Sequence, residues 1–176
     1  MKKIFLILLL ISYITTGVAA AKRDALCHKY LRLHILANSN SSYDQSIKLK
    51  VKNYFFDLYK DDFNKINSKE EMLSFLNKKN KEITNNINGF LNKNGINYDC
   101  SLRIEKTKYK QSNFKNINLP AGNYDSVKII LGKGKGNNVF FLMFPNLSLK
   151  ENVTVKTTDE NKITYKSKIL ELLSLQ

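Results

Sequence analysis

Residues 30–53, "YLRLHILANSNSSYDQSIKLKVKN", decide the fold class because they change from a strand pattern to a helix pattern across a short polar loop. Apolar and polar side chains alternate from Leu31 to Leu36, which predicts a strand. The polar run at 38–42 ends that strand, and Ser42 with Gln45 predicts the capping box of a helix. Apolar residues then recur on one helical face, at Ile47, Val51, Phe55 and Leu58.

The rest of the chain shows the same two patterns. Ser68 and Glu71 predict a second helix that ends before Gly95, with a buried side formed by Met72, Leu76, Ile83, Ile87 and Leu91. Strands are predicted at 100–108, 127–131 and 139–144, and a short edge strand and a final helix at 153–157 and 163–173. This order predicts a single α+β domain, in which two or three helices pack on one mixed or mostly antiparallel sheet.

The stretch "GKGKGNN", residues 132–138, could bind a phosphate or turn the chain. A phosphate-binding glycine loop is followed by a helix, whose N-terminus supplies backbone amides and a favourable dipole. Here the next segment is apolar and aromatic, which favours a strand. We therefore predict a hairpin in which Gly132, Gly134 and Gly136 allow positive φ angles, while Lys133 and Lys135 point into solvent.

The N-terminus has the three parts of an export signal. "MKK" is positively charged, Ile4 to Ile14 are apolar, and Ala19 and Ala21 provide the small residues of a cleavage site. We predict a signal peptide at 1–21, cleaved after Ala21, and a secreted domain at 22–176. An uncleaved membrane anchor is the alternative.

The net charge of +14 suggests a polyanionic partner, such as nucleic acid, anionic lipid or wall polymer. However, only three of the 29 basic residues are arginine, namely Arg23, Arg32 and Arg103. Because arginine is the residue preferred for bidentate phosphate recognition, we interpret the charge as mainly a solvated lysine surface. A secreted, basic polyanion-binding protein remains the alternative function.

The candidates for catalytic chemistry are few. His28 and His34 lie near the first strand and, with Cys27, make a poor metal site, because strand neighbours alternate between faces. We expect His28 to be exposed and His34 to be half-buried on a polar face. Cys27 and Cys100 could form one disulfide in an exported protein. The sequence predicts no catalytic, cofactor-binding or metal-binding residues, although an exported hydrolase is a third hypothesis.

Two stretches together resemble the stage II sporulation protein R family of endospore-forming Firmicutes. They are "LRLHILANSNSSYDQSIKLKVKN" (31–53) and "LPAGNYDSVKIILGKGKGNNVFFLMFPNL" (119–147). The first combines a strand, "ILANS", a short loop and "DQ" at the start of a helix. The second combines "PAG.Y", three spaced glycines with an asparagine, and "FP".

This resemblance implies a signalling protein and not an enzyme. Members are made in the forespore and exported into the space between the forespore and mother-cell membranes. There the family activates a membrane-embedded aspartic protease, which removes the pro-sequence from an early mother-cell sigma factor. The implied partner is therefore that protease, at a membrane surface, with no cofactor, no nucleic acid and no small-molecule substrate.

If this role holds, the contact surface is expected on the loop Asn38 to Gln45 and on the hairpin Gly132 to Asn138. The candidate partner-binding residues are Asn38, Ser39, Asp44, Gln45, Lys48, Gly132, Gly134, Gly136 and Asn138. Among them, Asn38, Ser39 and Lys48 are the stronger candidates for direct contact, because Gln45 has a predicted capping role and the glycines have a turn role.

The chain also departs from the family pattern. The family usually has two tryptophans and a cysteine where this chain has Val139, Phe140 and Phe141, and often a second cysteine where it has Ser148. If those two cysteines pair in other members, this chain lacks their bridge, and a pair between Cys27 and Cys100 would be independent of it. Asn40 stands where an acidic residue is common.

Overall fold

A computed structural model describes residues 2–114 and 117–144, and it confirms the α+β class with a single domain. The elements in these ranges are α1 (Lys2–Lys29), β1 (Leu31–Leu36), α2 (Ser42–Leu58), α3 (Lys60–Lys65), α4 (Lys69–Lys78), α5 (Asn80–Lys93), β2 (Cys100–Tyr109), β3 (Ser112–Phe114), β4 (Ile117–Leu119), β5 (Gly122–Leu131) and β6 (Asn138–Phe144). The edge strand and helix predicted at 153–157 and 163–173 lie outside the described residues, as does Ser148.

The main sheet is mixed and has the strand order β2-β5-β1-β6. β1 is parallel to β5 and antiparallel to β6, while β2 is antiparallel to β5. The strands β3 and β4 form a separate antiparallel pair. The first strand of the domain therefore lies inside the sheet, between two strands that come last in the described chain.

One face of the sheet packs on α2 to α5 and forms the larger core. The contributing strand residues include Leu33, Ile35, Val127, Ile129, Leu131 and Phe141, and the helical ones include Val51, Phe55, Leu76, Ile83, Ile87 and Leu91. These are the apolar stripes that the sequence predicts, with one exception: Leu58 is 44% exposed, and the adjacent Tyr59 is buried instead. The inward orientation of Val127, Ile129 and Leu131 is confirmed. Burial of this apolar area is the main force that holds helices and sheet together.

The opposite face is also buried, which the sequence does not predict. There Tyr124, Phe140 and Leu142 pack with Cys27 and Tyr30 near the end of α1 and with Phe114 and Leu119 from the β3–β4 pair. As a result His34 is 5% exposed. The expectation of a half-buried His34 is wrong because this second layer covers the face, whereas His28 is exposed as predicted.

The helical region contains more elements than predicted. Ser68 caps a helix as expected, since its hydroxyl accepts from the backbone N–H of Glu71 at 3.1 Å. That helix ends at Lys78, however, and α5 begins at Asn80. The apolar spacing on either side of Lys79 also fits one continuous helix, so periodicity could not show the break. Gly95, with φ 71°, ends α5 as predicted.

The stretch from Gly132 to Asn138 is not a hairpin between neighbouring strands. β5 and β6 are separated by β1, so this glycine loop (residues 132–137) passes over the carboxyl end of β1. Gly132 and Gly134 have positive φ angles, as predicted, whereas Gly136 does not. Lys133 and Lys135 are exposed, and the segment that follows is a strand, as the sequence predicts.

Cys27 and Cys100 are both free and buried, so the disulfide that the sequence permits is not formed. Cys100 pairs with Leu131 at one end of β5, on the side of the helices. Cys27 contacts Gly122 at the other end of β5 and belongs to the second layer. Nine residue steps along β5 separate Gly122 from Leu131, roughly 30 Å, which no disulfide can span.

Within the described residues, one helix, α1, is long and apolar enough to cross a membrane, which a signal sequence also satisfies. Its C-terminal end differs from the rest because it packs on the domain. Cys27 is 3% exposed, while the apolar residues before Val18 are largely exposed. Cleavage at Ala21 remains a prediction. Cleavage there would keep residues 22–29, which include the packed end of α1, attached to the domain.

Candidate partner-binding surface

The two stretches that carry the family resemblance meet at the carboxyl end of β1. The glycine loop lies against the β1–α2 loop (residues 37–41) and bonds to it through the backbone. Gly136 N–H donates to the carbonyl of Ala37 at 2.9 Å, and Lys135 N–H donates to the carbonyl of Asn38 at 3.2 Å. We call this contact between the two loops, with the first turns of α2, the loop junction.

Two asparagine side chains strengthen the loop junction. The Oδ1 atom of Asn38 accepts from the N–H of Lys133 at 2.9 Å, and its Nδ2 donates to Asp44 at 2.9 Å. Asn40 Oδ1 accepts from the N–H of Asn137 at 2.6 Å. Both asparagine side chains therefore provide acceptors for backbone N–H groups of the glycine loop, which would otherwise have no hydrogen-bond partner.

Asp44 is the buried centre of the junction and is 6% exposed. Its carboxylate accepts from Ser39 Oγ at 2.6 Å, from Asn38 Nδ2 and from the Tyr98 hydroxyl at 2.9 Å. Burial alone would raise the pKa of Asp44, but these hydrogen bonds, led by that from Ser39, hold it below its ordinary value. Burial, together with Asp44, raises the pKa of Tyr98.

The N-cap of α2 is Ser41 and not Ser42. The Ser41 hydroxyl accepts from the N–H of Asp44 at 3.1 Å, so the predicted capping box is displaced by one residue. Gln45 instead joins the junction, because its Nε2 donates to the carbonyl of Ser39 at 2.9 Å. The prediction failed because the serines at 41 and 42 are equally good caps, and only the loop contacts select between them.

Lys48 lies beneath the glycine loop and is 3% exposed. Its Nζ donates to Gln45 Oε1 at 2.6 Å and to the carbonyl of Asn137 at 3.0 Å. Desolvation lowers the pKa of Lys48 to about 8. The polar groups of Lys48, Asn38 and Ser39, the stronger candidates for partner contact, are thus engaged within the protein.

Close approach of the two loops explains the glycines at 132 and 136. A β-carbon on Gly136 would collide with the backbone carbonyl of Ser39, and one on Gly132 would collide with the side chain of Asn38. Gly132 also has a φ of 55°, which most side chains disfavour. At the far end of the loop, Asn138 Nδ2 contacts His34 Nδ1 at 2.8 Å, which links the junction to the second buried layer.

A partner can reach a different set of side chains on this surface. Tyr43 is 58% exposed on the first turn of α2, and Asn40, Lys133 and Lys135 on the two bonded loops are also exposed. Sequence reasoning missed Tyr43 and the internal role of Tyr98. An aromatic residue on the polar side of the α2 stripe was the signal that could have identified Tyr43.

The described residues contain no group of three or more His, Cys, Asp and Glu side chains that could hold a metal ion. Burial raises the pKa of the Cys100 thiol to about 12, which opposes formation of a nucleophilic thiolate. The geometry around the loop junction is instead that of two loops fixed in one arrangement, with a few exposed side chains on top.

Comparison with known protein families supports the resemblance that residues 31–53 and 119–147 carry. A sequence-family model described as stage II sporulation protein R matches residues 27–154. The chain belongs to the stage II sporulation protein R family. The matched range includes the packed end of α1, the whole described domain and the loop junction. The family name places this chain among sporulation proteins.

A curated relative supports the assignment. Stage II sporulation protein R of Bacillus subtilis (strain 168) is 30% identical over 146 residues, which cover 80% of this chain. The same alignment covers 65% of that relative, so this chain accounts for less than two thirds of the relative's length. No solved structure matches the chain.

Proposed function

We propose that this stage II sporulation protein R family member is a secreted signalling protein. It activates a membrane-embedded aspartic protease that processes a mother-cell sigma-factor precursor. It acts in the space between the forespore and mother-cell membranes. The single observation that carries the proposal is the loop junction, because the two family stretches, far apart in sequence, form one bonded surface. The apolar helix α1 supports export or anchoring at a membrane.

The arrangement suits a binding protein better than an enzyme. The carboxylate and ammonium groups of the junction are held by hydrogen bonds at the inner side of the loops, where they fix the backbone. The exposed side chains above them are an aromatic ring, an amide and two ammonium groups. Tyrosine and rigid backbone are typical of protein-binding surfaces, where little entropy is lost on contact.

Reconstitution in non-sporulating cells tests this function. The chain is co-expressed with the sigma-processing protease of its host and a tagged sigma precursor, which is followed by immunoblot. We expect a shorter sigma band only when the export segment is present. Absence of processing, although the protein is secreted and folded and another family member activates the protease, would contradict the proposal.

A charge reversal locates the surface in the same assay. Lys133→Glu with Lys135→Glu should reduce processing at least tenfold, because both side chains lie on the exposed glycine loop. Lys78→Glu with Lys93→Glu is the matched control, since it makes the same change of charge at exposed positions on α4 and α5. Equal loss in both variants would indicate a general charge effect.

Polyanion binding remains the second candidate, because exposed lysines occur over the described surface and the net charge is +14. Retention on heparin or anionic vesicles that disappears steeply with added salt would favour it. The two lysine variants also distinguish the functions. A polyanion binder should lose affinity similarly in both, whereas an activator should respond to the glycine-loop pair alone.

A further inference from the structure

Arg32 lies in the second buried layer, in a cage of aromatic rings. It is 2% exposed. Its guanidinium carbon lies 4.1 Å from the ring centre of Tyr109, 4.4 Å from that of Phe140 and 4.8 Å from that of Tyr124. Nη2 donates to Ser112 Oγ at 2.9 Å. We call Arg32, His34 and these three rings the arginine layer.

The arginine layer has donors without acceptors. Arg32 Nε and Nη1 and His34 Nε2 are buried and have no hydrogen-bond partner in the described part of the chain. The amide nitrogen of Asn138 can only donate to His34 Nδ1, so in the neutral ring the proton is on Nε2. His34 also stacks on Tyr109 and Phe140, with ring centres at 4.8 Å and 5.3 Å. Every unmatched group is therefore an N–H donor.

The neighbouring tyrosine hydroxyls form hydrogen bonds with other groups and not with these donors. Tyr109 OH pairs with Ser126 Oγ at 2.7 Å, and Tyr124 OH donates to the carbonyl of Pro120 at 2.6 Å. No carboxylate of the described residues forms an ion pair with Arg32. Ring contacts stabilise the cation but leave its N–H groups without acceptors. A buried cation in this state is costly, which argues for an anionic oxygen at the site.

We propose that Arg32 and His34 form a binding site for one carboxylate group. The site has one formal positive charge, since burial lowers the pKa of His34 to about 3 and leaves its ring neutral. A single carboxylate would neutralise Arg32 and accept from its Nε–H, which lies on the opposite side of the planar guanidinium from Nη1. The inference stands independently of the proposed signalling function.

Chain connectivity favours a carboxylate from this protein itself, and the alternative source is a carboxylate of another molecule. Arg32 pairs with Leu142 across the sheet, so β6 ends two residues beyond the level of Arg32. The chain after β6 has four acidic side chains, and Glu151 is the one inside the range matched by the family. It follows Phe144 by seven residues, which can extend about 23 Å, enough to return to Arg32.

Arginine Nε NMR on the full chain tests the site directly. The chain has only three arginines, and Arg23 and Arg103 are exposed, so they serve as controls within each spectrum. If Glu151 is the source, the Arg32 Nε–H signal should shift in Glu151→Ala and exchange with water about tenfold faster, as expected on loss of one charge-assisted hydrogen bond. Sodium propionate, but not sodium chloride at equal ionic strength, should reverse part of the shift.

The arms of the experiment separate the sources. A wild-type Arg32 signal that responds to propionate, with no effect of Glu151→Ala or of the triple variant Asp159→Asn, Glu160→Gln, Glu171→Gln, would assign the carboxylate to another molecule and also support the site. A shift in the triple variant alone would assign the carboxylate to one of those three side chains and also support the site. An Arg32 signal that is unchanged in Glu151→Ala and in the triple variant, and that ignores propionate, would overturn the proposal.

Discussion

The loop junction and the arginine layer are neighbours, joined by the contact between Asn138 and His34. They differ in the number of hydrogen-bond partners that the buried charged group of each region has. In the junction, the buried Asp44 carboxylate has three side-chain donors. In the arginine layer, the buried Arg32 has one acceptor. The difference indicates that the junction is complete within the described chain and fixes the loops, whereas the layer requires a further group.

The largest expected effect tests the completeness of the junction. Asp44→Ala leaves the hydroxyls of Ser39 and Tyr98 and the amide of Asn38 without their shared acceptor. We expect the free energy of unfolding to fall by about 3 kcal/mol, as measured by urea denaturation. Asp57→Ala, at an exposed position on the same helix, is the control and should change it little. A loss below that of the control would mean that Asp44 does not organise the loops.

Gly136→Ala tests the close approach of the two loops. The added β-carbon collides with the carbonyl of Ser39, so the loops must separate, at a cost of about 2 kcal/mol. Gly89→Ala is the matched control, because Gly89 is in α5 with open space around its missing side chain. The control should stabilise the protein by about 0.5 kcal/mol in thermal melts. Equal tolerance of both substitutions would contradict the tight contact.

The arginine layer predicts a dependence of stability on pH. Burial, and then the charges of Arg32 and Lys128, lower the pKa of His34 from 6.5 to about 3 in the folded protein. Below pH 6.5 the unfolded chain takes up a proton that the folded chain does not, so stability is present above that pH and is lost toward pH 3. From about pH 7 to about pH 5 the loss should reach about 2 kcal/mol.

Two histidine variants identify the source of that loss. His34→Gln should remove most of the change in unfolding free energy over this range, whereas His28→Gln should preserve it because His28 is exposed. We end the range near pH 5 so that Asp44 does not contribute to the change. The pKa of Asp44 is lowered in the folded protein, and its stabilising effect is therefore lost only at lower pH. The same slope in His34→Gln as in the unchanged protein would show that His34 is not responsible.

The sequence predicts the elements of this fold better than their arrangement. Alternation in Leu31 to Leu36 and the stripe on α2 are local signals, and both are confirmed apart from the exposed Leu58. The position of β1 between β5 and β6 depends on pairing across the whole chain, so the glycine loop was wrongly interpreted as a hairpin. Arg32 and His34 look like solvent-facing residues because nothing local shows that a second layer covers them.

The candidate surface shows the same limit. The structure brings the two stretches together, whereas the assignment of partner contacts to their residues stays a prediction. The sequence could not show that Asn38, Ser39 and Lys48 face inward, because polar residues in loops are usually solvated. Their orientation is set by hydrogen bonds from Asn38 to Lys133, from Ser39 to Asp44 and from Lys48 to Asn137. Lys133 and Asn137 lie about 90 residues or more along the chain from their partners, so no local pattern shows these contacts.

The smallest expected effect on stability distinguishes the hydrogen-bonded groups of the loop junction from its exposed side chains. Tyr43→Ala should change the free energy of unfolding by less than about 0.5 kcal/mol, because the ring is 58% exposed. If the junction presents a surface to the protease, the same variant should reduce sigma processing severalfold in the reconstitution. Leu49→Ala, 47% exposed on the same helix, is the matched control for loss of an exposed apolar side chain. Processing that is normal in Tyr43→Ala and lost only in variants that unfold would restrict the junction to a folding role.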